Sequence, residues 1–198
     1  MNIQEINNYF GDMDLFLMDL ILKGTIVPGC KVLDIGCGEG RNGIHFIQRG
    51  YEYQGWDTDS SKIKLLEYLS LTIANSKTTF KTQNLLEASS EEKFDLIICS
   101  RVLHFAESEE VFSNMWNRLS LLLNKKGILY VSMDSVVDSE IGKDLKDGMV
   151  EFPDGKVRFG LTEEIYQKIK KGFEEIEPLR TLVHHNERAQ SFLCLRKA

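Results

Sequence analysis

The stretch that most limits what this chain can fold into is Asp34-Ile-Gly-Cys-Gly-Glu-Gly40. Lys31 to Ile35, with Val32, Leu33 and Ile35 apolar, leads into it and reads as a strand. Arg41 to Arg49 follows as a helix, with Ile44 and Ile47 on one side and Gly50 as its stop. A glycine-rich turn between a strand and a helix serves one physical purpose. With no side chain in the way, a ligand approaches the backbone closely, and the helix start offers it N–H groups.

The same alternation continues on both sides of that turn. Asp12 or Asp14 is expected to cap a helix to about Leu22, with Leu15, Met18 and Leu22 on one face. Tyr51 to Trp56 reads as a second strand, and Ser60 or Ser61 caps a helix through Ser70 that turns Ile63, Leu66 and Leu69 to the sheet. Thr79 to Gln83 is a short third strand. Phe94 to Cys99, nearly all apolar, is a fourth, buried on both faces. Glu109 to Leu123 is a helix ended by Asn124 to Gly127, and Ile128 to Met133 is the fifth strand. From Asp134 to Gly160 periodicity is weak, which predicts a loop or lid on the substrate side. Thr162 caps a helix from Glu163 to Lys171. Glu174 to His184 and Gln190 to Arg196 are strands joined by a link too short for a helical crossover, so they pair antiparallel.

These elements predict an α/β, Rossmann-like three-layer sandwich. Its seven-stranded sheet is mostly parallel, with an antiparallel C-terminal strand. A chain of 198 residues is enough for one domain, 1–198. Residues 1–29 form its N-terminal helical segment and a possible lid. Tyr9, Phe10 and Phe16 there either fold over a ligand or pack as core.

Two ligands compete for the turn. Gly36, Gly38 and Gly40 are spaced G-x-G-x-G, and Arg41 holds the place of the third glycine of a dinucleotide turn. Asp34 would repel a pyrophosphate but suits the ammonium and sulfonium of S-adenosylmethionine; it also has the option of bonding loop N–H groups. Asp57 ends the second strand about 20 residues beyond the turn, where a carboxylate accepts both ribose hydroxyls. The alternative for Asp57 is a helix cap, a duty for which Asp59 is better placed. Asn84 is positioned to meet the adenine amino group and the Leu85 N–H a ring nitrogen, unless Asn84 is a turn residue. Cys37, Thr58, Arg41 and Ser100 complete the expected cofactor contacts. Arg41 opens a helix against its dipole, which points to a carboxylate or oxyanion contact, or to a salt bridge with Glu39 or another acid. An NAD-linked oxidoreductase and a non-catalytic S-adenosylmethionine-binding module are the competing readings.

Val32 to Gly40 resembles motif I of the class I S-adenosylmethionine-dependent methyltransferases. Gly55-Trp-Asp57 resembles their acidic second motif, Phe94 to Ser100 their fourth-strand motif, and Leu121 to Val131 their fifth-strand entry. Gly38-Glu-Gly-Arg-Asn42, Gly50-Tyr51 and Trp56-Asp57 are similar to the tellurite-resistance and thiopurine methyltransferase branch. The resemblance implies methyl transfer to a small molecule, either a soft sulfur, selenium or tellurium nucleophile or a small hydroxyl or amine compound.

The acceptor side carries less signal. Ser100, Arg101 and His104 follow the fourth strand. His104 is a base or substrate contact, or else a helix-entry histidine packed beside Phe105. Arg41 is the other catalytic candidate. His184 and His185 point to opposite faces if both lie on a strand, so one of them, with Arg188, would bind an anionic substrate, or the pair sits at a hairpin end. Phe152, Phe159 and Met149 are candidates to cap a soft or apolar substrate. No Asn-Pro-Pro-Tyr, Asp-Pro-Pro-Tyr or Pro-Cys follows the fourth strand, which disfavours nucleic-acid bases as targets. The net charge of -6 also argues against a nucleic-acid or anionic-membrane partner, although a local basic patch is compatible with it. Cys30, Cys37, Cys99 and Cys194 form no CxxC pair, so no metal site is expected. No apolar run approaches the ~20 residues of a membrane span. A cytoplasmic protein with reduced thiols, monomeric or homodimeric, is the expectation.

Overall fold

The structure, a computed structural model, describes residues 10–73, 77–89, 91–138, 141–185 and 187–198. Among them seven strands form one mixed sheet in the order β3-β2-β1-β4-β5-β10-β9. These are β1 (Lys31–Ile35), β2 (Glu52–Asp57), β3 (Lys77–Thr82), β4 (Phe94–Ser100), β5 (Leu123–Asp134), β9 (Phe173–His184) and β10 (Arg188–Lys197). The expected Rossmann-like sheet is present, parallel at its first strands and antiparallel at its C-terminal ones. By their internal contacts the residues fall into two units, 1–98 and 99–198.

In the first unit β1 and β2 pair in parallel from Lys31↔Glu52 to Ile35↔Trp56, and β3 extends the set. Helix α1 (Leu15–Leu22) is capped by Asp14, whose side chain accepts from the Phe16 N–H. It buries Leu17 and Leu20 and leaves Leu15 and Leu22 exposed, contrary to the expected face. Its sequence LFLMDLIL is nearly all apolar, so periodicity says little about which side goes inward. Helix α2 (Ile44–Gln48) starts later than expected because Gly40 to Gly43 close as a turn, with the Gly43 N–H on the Gly40 carbonyl. Helix α3 (Ser60–Ser70) is capped by Asp59, not by Ser60 or Ser61; the Ser61 N–H and hydroxyl both go to Asp59. Its Ile63 and Leu66 pack with Cys37 and Phe80. Phe10 is buried and stacks on His45 with centroids 5.2 Å apart, a core position; Tyr9 lies outside the described residues.

In the second unit helix α4 (Glu109–Leu122) is capped by Ser108 and passes directly into β5 at Leu123. Asn124 to Gly127 therefore belong to the strand, with Lys126 at φ 64°. β10 lies antiparallel to both β5 and β9, as expected. Between β5 and helix α5 (Glu163–Ile169, capped by Thr162) the expected loop contains a small antiparallel sheet. It consists of β6 (Lys143–Asp144), β7 (Met149–Glu151) and β8 (Val157–Phe159). Phe152 and Phe159 are fully buried in the core, with Phe159 stacked on Phe112 at 4.6 Å, so neither caps a ligand. A Cβ on Gly148 would lie 2.3 Å from the Phe159 ring, which explains the glycine. No described helix is long and apolar enough to cross a membrane.

Candidate active site

The turn after β1 is built almost wholly from backbone. The N–H groups of Gly36 and Cys37 both donate to the Trp56 carbonyl, at 2.7 and 3.1 Å. The Gly38 N–H donates to Asp57 Oδ2 at 2.8 Å, and the Asp59 N–H donates to Oδ1 at 2.9 Å. Asp57 is thus clamped at the end of β2 while staying partly open to solvent. Gly36, Gly38 and Gly40 all have positive φ, at 69°, 55° and 89°. A Cβ on Gly40 would lie 2.5 Å from Leu66 of α3, so this glycine is needed for close packing as well as for φ. A Cβ on Gly38 would meet nothing nearer than the Gly36 carbonyl at 4.0 Å, which leaves the space over the turn open to a ligand.

Asp34 plays a different part from the loop-bonding alternative. It is buried and accepts from the Tyr53 hydroxyl at 2.9 Å, while the loop N–H groups go to Trp56 and Asp57. Burial pushes its carboxyl up to about 7; the Tyr53 hydrogen bond and the nearby Arg41 charge oppose that rise. Tyr53 reaches it past Gly43, where a Cβ would lie 2.2 Å from the hydroxyl. Nothing in the sequence reading singled out Tyr53; the signal was its place beside Asp34 on the neighbouring strand, opposite Val32. Arg41 meets Asp14 at 3.7 Å, a salt bridge with an acid other than Glu39. Asn42 accepts the Asp14 N–H at 3.0 Å, so two consecutive residues tie the turn to the start of α1. Burial and the neighbouring Asp34 and Asp57 raise the Cys37 thiol far above its usual range, which keeps it protonated. Thr58 is exposed beyond β2. Asn84 accepts the Leu86 N–H at 2.9 Å in a turn, with Leu85 buried beside it.

In the second unit Ser100 is buried, its hydroxyl 2.8 Å from that of Ser132. Arg101, at φ 63°, and His104, in a short 3-10 turn (Leu103–Phe105), line a cavity of about 620 Å³ together with Arg188. His184 is exposed at the end of β9 and His185 stands at φ 51° in the hairpin; neither lines the cavity. Met149 does line it. The structure adds three residues that sequence reasoning missed. Lys156 and Arg158 also line the cavity, and Asp134, fully buried at the carboxyl end of β5, forms ion pairs with both Arg158 and Arg188. The available signal is an acid at the end of the largely apolar run Ile128 to Met133. His104 is buried, and burial lowers its imidazole to about 4. Asp134 opposes that shift, while Arg188, Arg158 and Arg101 reinforce it. It is therefore neutral near pH 7, and its Nδ1 meets no partner among the described residues. No described group of three or more His, Cys, Asp or Glu is placed to hold a metal ion.

A family model described as tellurite resistance protein TehB matches residues 6–134. The chain belongs to the TehB family. It is 31% identical over 103 residues to the probable S-adenosyl-L-methionine-dependent methyltransferase TehB of Haemophilus influenzae. That match covers 50% of this chain and 34% of the relative, so the chain spans only part of that protein's length. The crystal structure of TehB from Haemophilus influenzae superposes with a TM-score of 0.69 at 21% identity, over 91% of this chain and 62% of that one. A 1,6-didemethyltoxoflavin-N1-methyltransferase from Burkholderia thailandensis, solved with 1,6-didemethyltoxoflavin and S-adenosylhomocysteine bound, gives 0.73 at 16% identity, over 98% and 82%. The family match agrees with the tellurite-resistance branch that Gly38 to Asn42 resembles, and the superposed structures share the Rossmann-like fold.

Proposed function

We propose that the chain transfers a methyl group from S-adenosylmethionine to a small-molecule acceptor. The observation that carries this reading is the clamp on Asp57. Backbone N–H groups from the turn and from residue 59 fix the carboxylate where it remains partly open, beside Gly38, over which the turn leaves space for a ligand. Asp57 would take the ribose hydroxyls, the turn would take the methionine end, and Asn84 with the Leu85 N–H would take the adenine. Asp34 would face the ammonium, whose charge would draw its proton off.

When bound, S-adenosylmethionine supplies a methyl group already activated by the sulfonium. The protein's share is alignment and exclusion of water. The experiment is calorimetric titration with S-adenosylmethionine, NAD serving as the rival ligand. Asp57→Ala is expected to weaken S-adenosylmethionine at least tenfold, since a charge-assisted hydrogen-bond pair is worth about 1.5–3 kcal/mol. Unchanged affinity would remove Asp57 from the ribose role, and binding of NAD alone would overturn the reading. A methyl-transfer screen with thiol, selenite, tellurite and small phenol acceptors separates catalysis from a non-catalytic binding module.

A further inference from the structure

The chain carries a net charge of -6, yet the cavity of the second unit is cationic. Arg101, Lys156, Arg158 and Arg188 line it, from the turn after β4, the β7–β8 connection, β8 and the first position of β10. The lining carboxylate is Glu107; Asp134 and Asp154 pair with the guanidiniums. The four cations outnumber these three carboxylates, and the positive surplus, held against the sign of the whole chain, favours binding of an anion.

Two of these cations are held in place. Arg158 is shared between Asp134 and Asp154, the latter at 2.8 Å, and its guanidinium lies 4.9 Å from the centroid of the Phe152 ring. Arg188 places Nε and Nη2 on one oxygen of Asp134. A guanidinium carries five N–H donors, so each still has donors to offer. Two forks fixed on one buried carboxylate form a preorganised seat for a planar anion.

The rest of the cavity argues against a bare inorganic oxyanion as the full occupant. Its volume falls within the roughly 300–1,000 Å³ of sites for organic ligands. Met149 and Val157 give it apolar wall, and the Phe105 ring is 72% exposed at its edge. His104, 5% exposed, lines the wall, and its buried Nδ1 has no partner among the described residues. A buried polar atom of that kind is costly unless a ligand group meets it.

We infer that this cavity binds an organic acid. Its carboxylate sits on Arg158 and Arg188, its apolar or aromatic body lies against Met149 and Val157, and a hydroxyl or amine N–H meets His104 Nδ1. That this ligand is also the methyl acceptor rests on the methyl-transfer reading above; its binding does not.

The test is calorimetry on the full chain with 2-, 3- and 4-hydroxybenzoate and the matching aminobenzoates. Benzoate, 4-methylphenol and sodium selenite are the comparison probes, each with and without S-adenosylhomocysteine. At least one hydroxy- or aminobenzoate is expected to bind tenfold or more tightly than benzoate, 4-methylphenol and selenite. Arg158→Gln is expected to weaken that acid at least tenfold and to leave S-adenosylhomocysteine binding as it was. The exposed Lys156→Gln, which keeps the core intact, should weaken the acid a few-fold. Selenite binding as tightly as the best acid, no binding by any of the acids, or an unchanged affinity in both variants overturns the inference. An acid that binds but is never methylated leaves the inference standing and removes the methyl-transfer reading. Methylation of a thiol or selenite with no acid bound does the reverse.

Discussion

The glycine turn of the first unit and the cavity of the second are made from different materials. In the first unit, residues close in sequence form the turn after β1, and it is tied by backbone N–H groups to Trp56 and Asp57. It gathers two carboxylates, Asp34 and Asp57, with Arg41 beside them, and Asp34 is buried under a tyrosine. In the second unit, the cavity draws on Arg101, Asp134, Arg158 and Arg188, which lie far apart in the chain, and it is held by side-chain charge. Backbone geometry tolerates few residue types but many neighbours. Charge geometry tolerates many sequences but requires every partner to be present. The first region should fail sterically and the second electrostatically.

The largest effect is expected at Asp134. Asp134→Ala leaves Arg158 and Arg188 without their shared carboxylate and should cost about 3 kcal/mol of unfolding free energy, the lower end for breaking a buried pair because both guanidiniums keep some solvent access. Urea denaturation measures it, and a loss under about 1 kcal/mol would show that the second region does not depend on its charges. Next comes Gly40→Ala, whose new Cβ meets Leu66 at 2.5 Å in a left-handed backbone. It should cost about 2 kcal/mol by overpacking and strain. Trimming the obstacle in Gly40→Ala/Leu66→Ala should relieve the clash, so that the double variant loses less than the sum of the two single losses. Strict additivity would deny the steric account.

The smallest signal is a slope. In the fold Asp34 titrates near 7, above its ordinary 3.8, so the fold favours its neutral form. The stability this contributes is complete below about pH 4 and is lost as pH rises through 7. Asp34→Asn has no such titration. Its melting temperature should therefore fall less between pH 5 and pH 8 than that of the parent. Equal falls would mean that Asp34 is solvated after all.

The same difference in material explains what was legible beforehand. β1, β2 and β4 are buried runs flanked by glycine, acid or cap residues, and their order along the chain dictates a parallel sheet. The C-terminal hairpin followed from the shortness of its link. The sheet of β6, β7 and β8 was illegible because strands of two or three residues are too short to show a period, and its shape depends on glycines packed on Val150 and Phe159. The face of α1 was misread because apolar residues occupy both sides. The glycine turn is legible because its pieces are adjacent in sequence. Arg101 and His104 lie apart from Arg188 in the sequence, and only folding brings them to one cavity with Arg158 and joins two of its arginines through Asp134.

Arg101 has one further consequence. Its φ of 63° lies in the left-handed region, where a side chain other than glycine is disfavoured by about 1 kcal/mol or more. A glycine would hold the same bend in relaxed form, so an arginine there trades thermodynamic robustness for a charged side chain at the cavity wall. Selecting this chain for heat tolerance alone would tend to erase that arginine, and selecting it for turnover would tend to keep it.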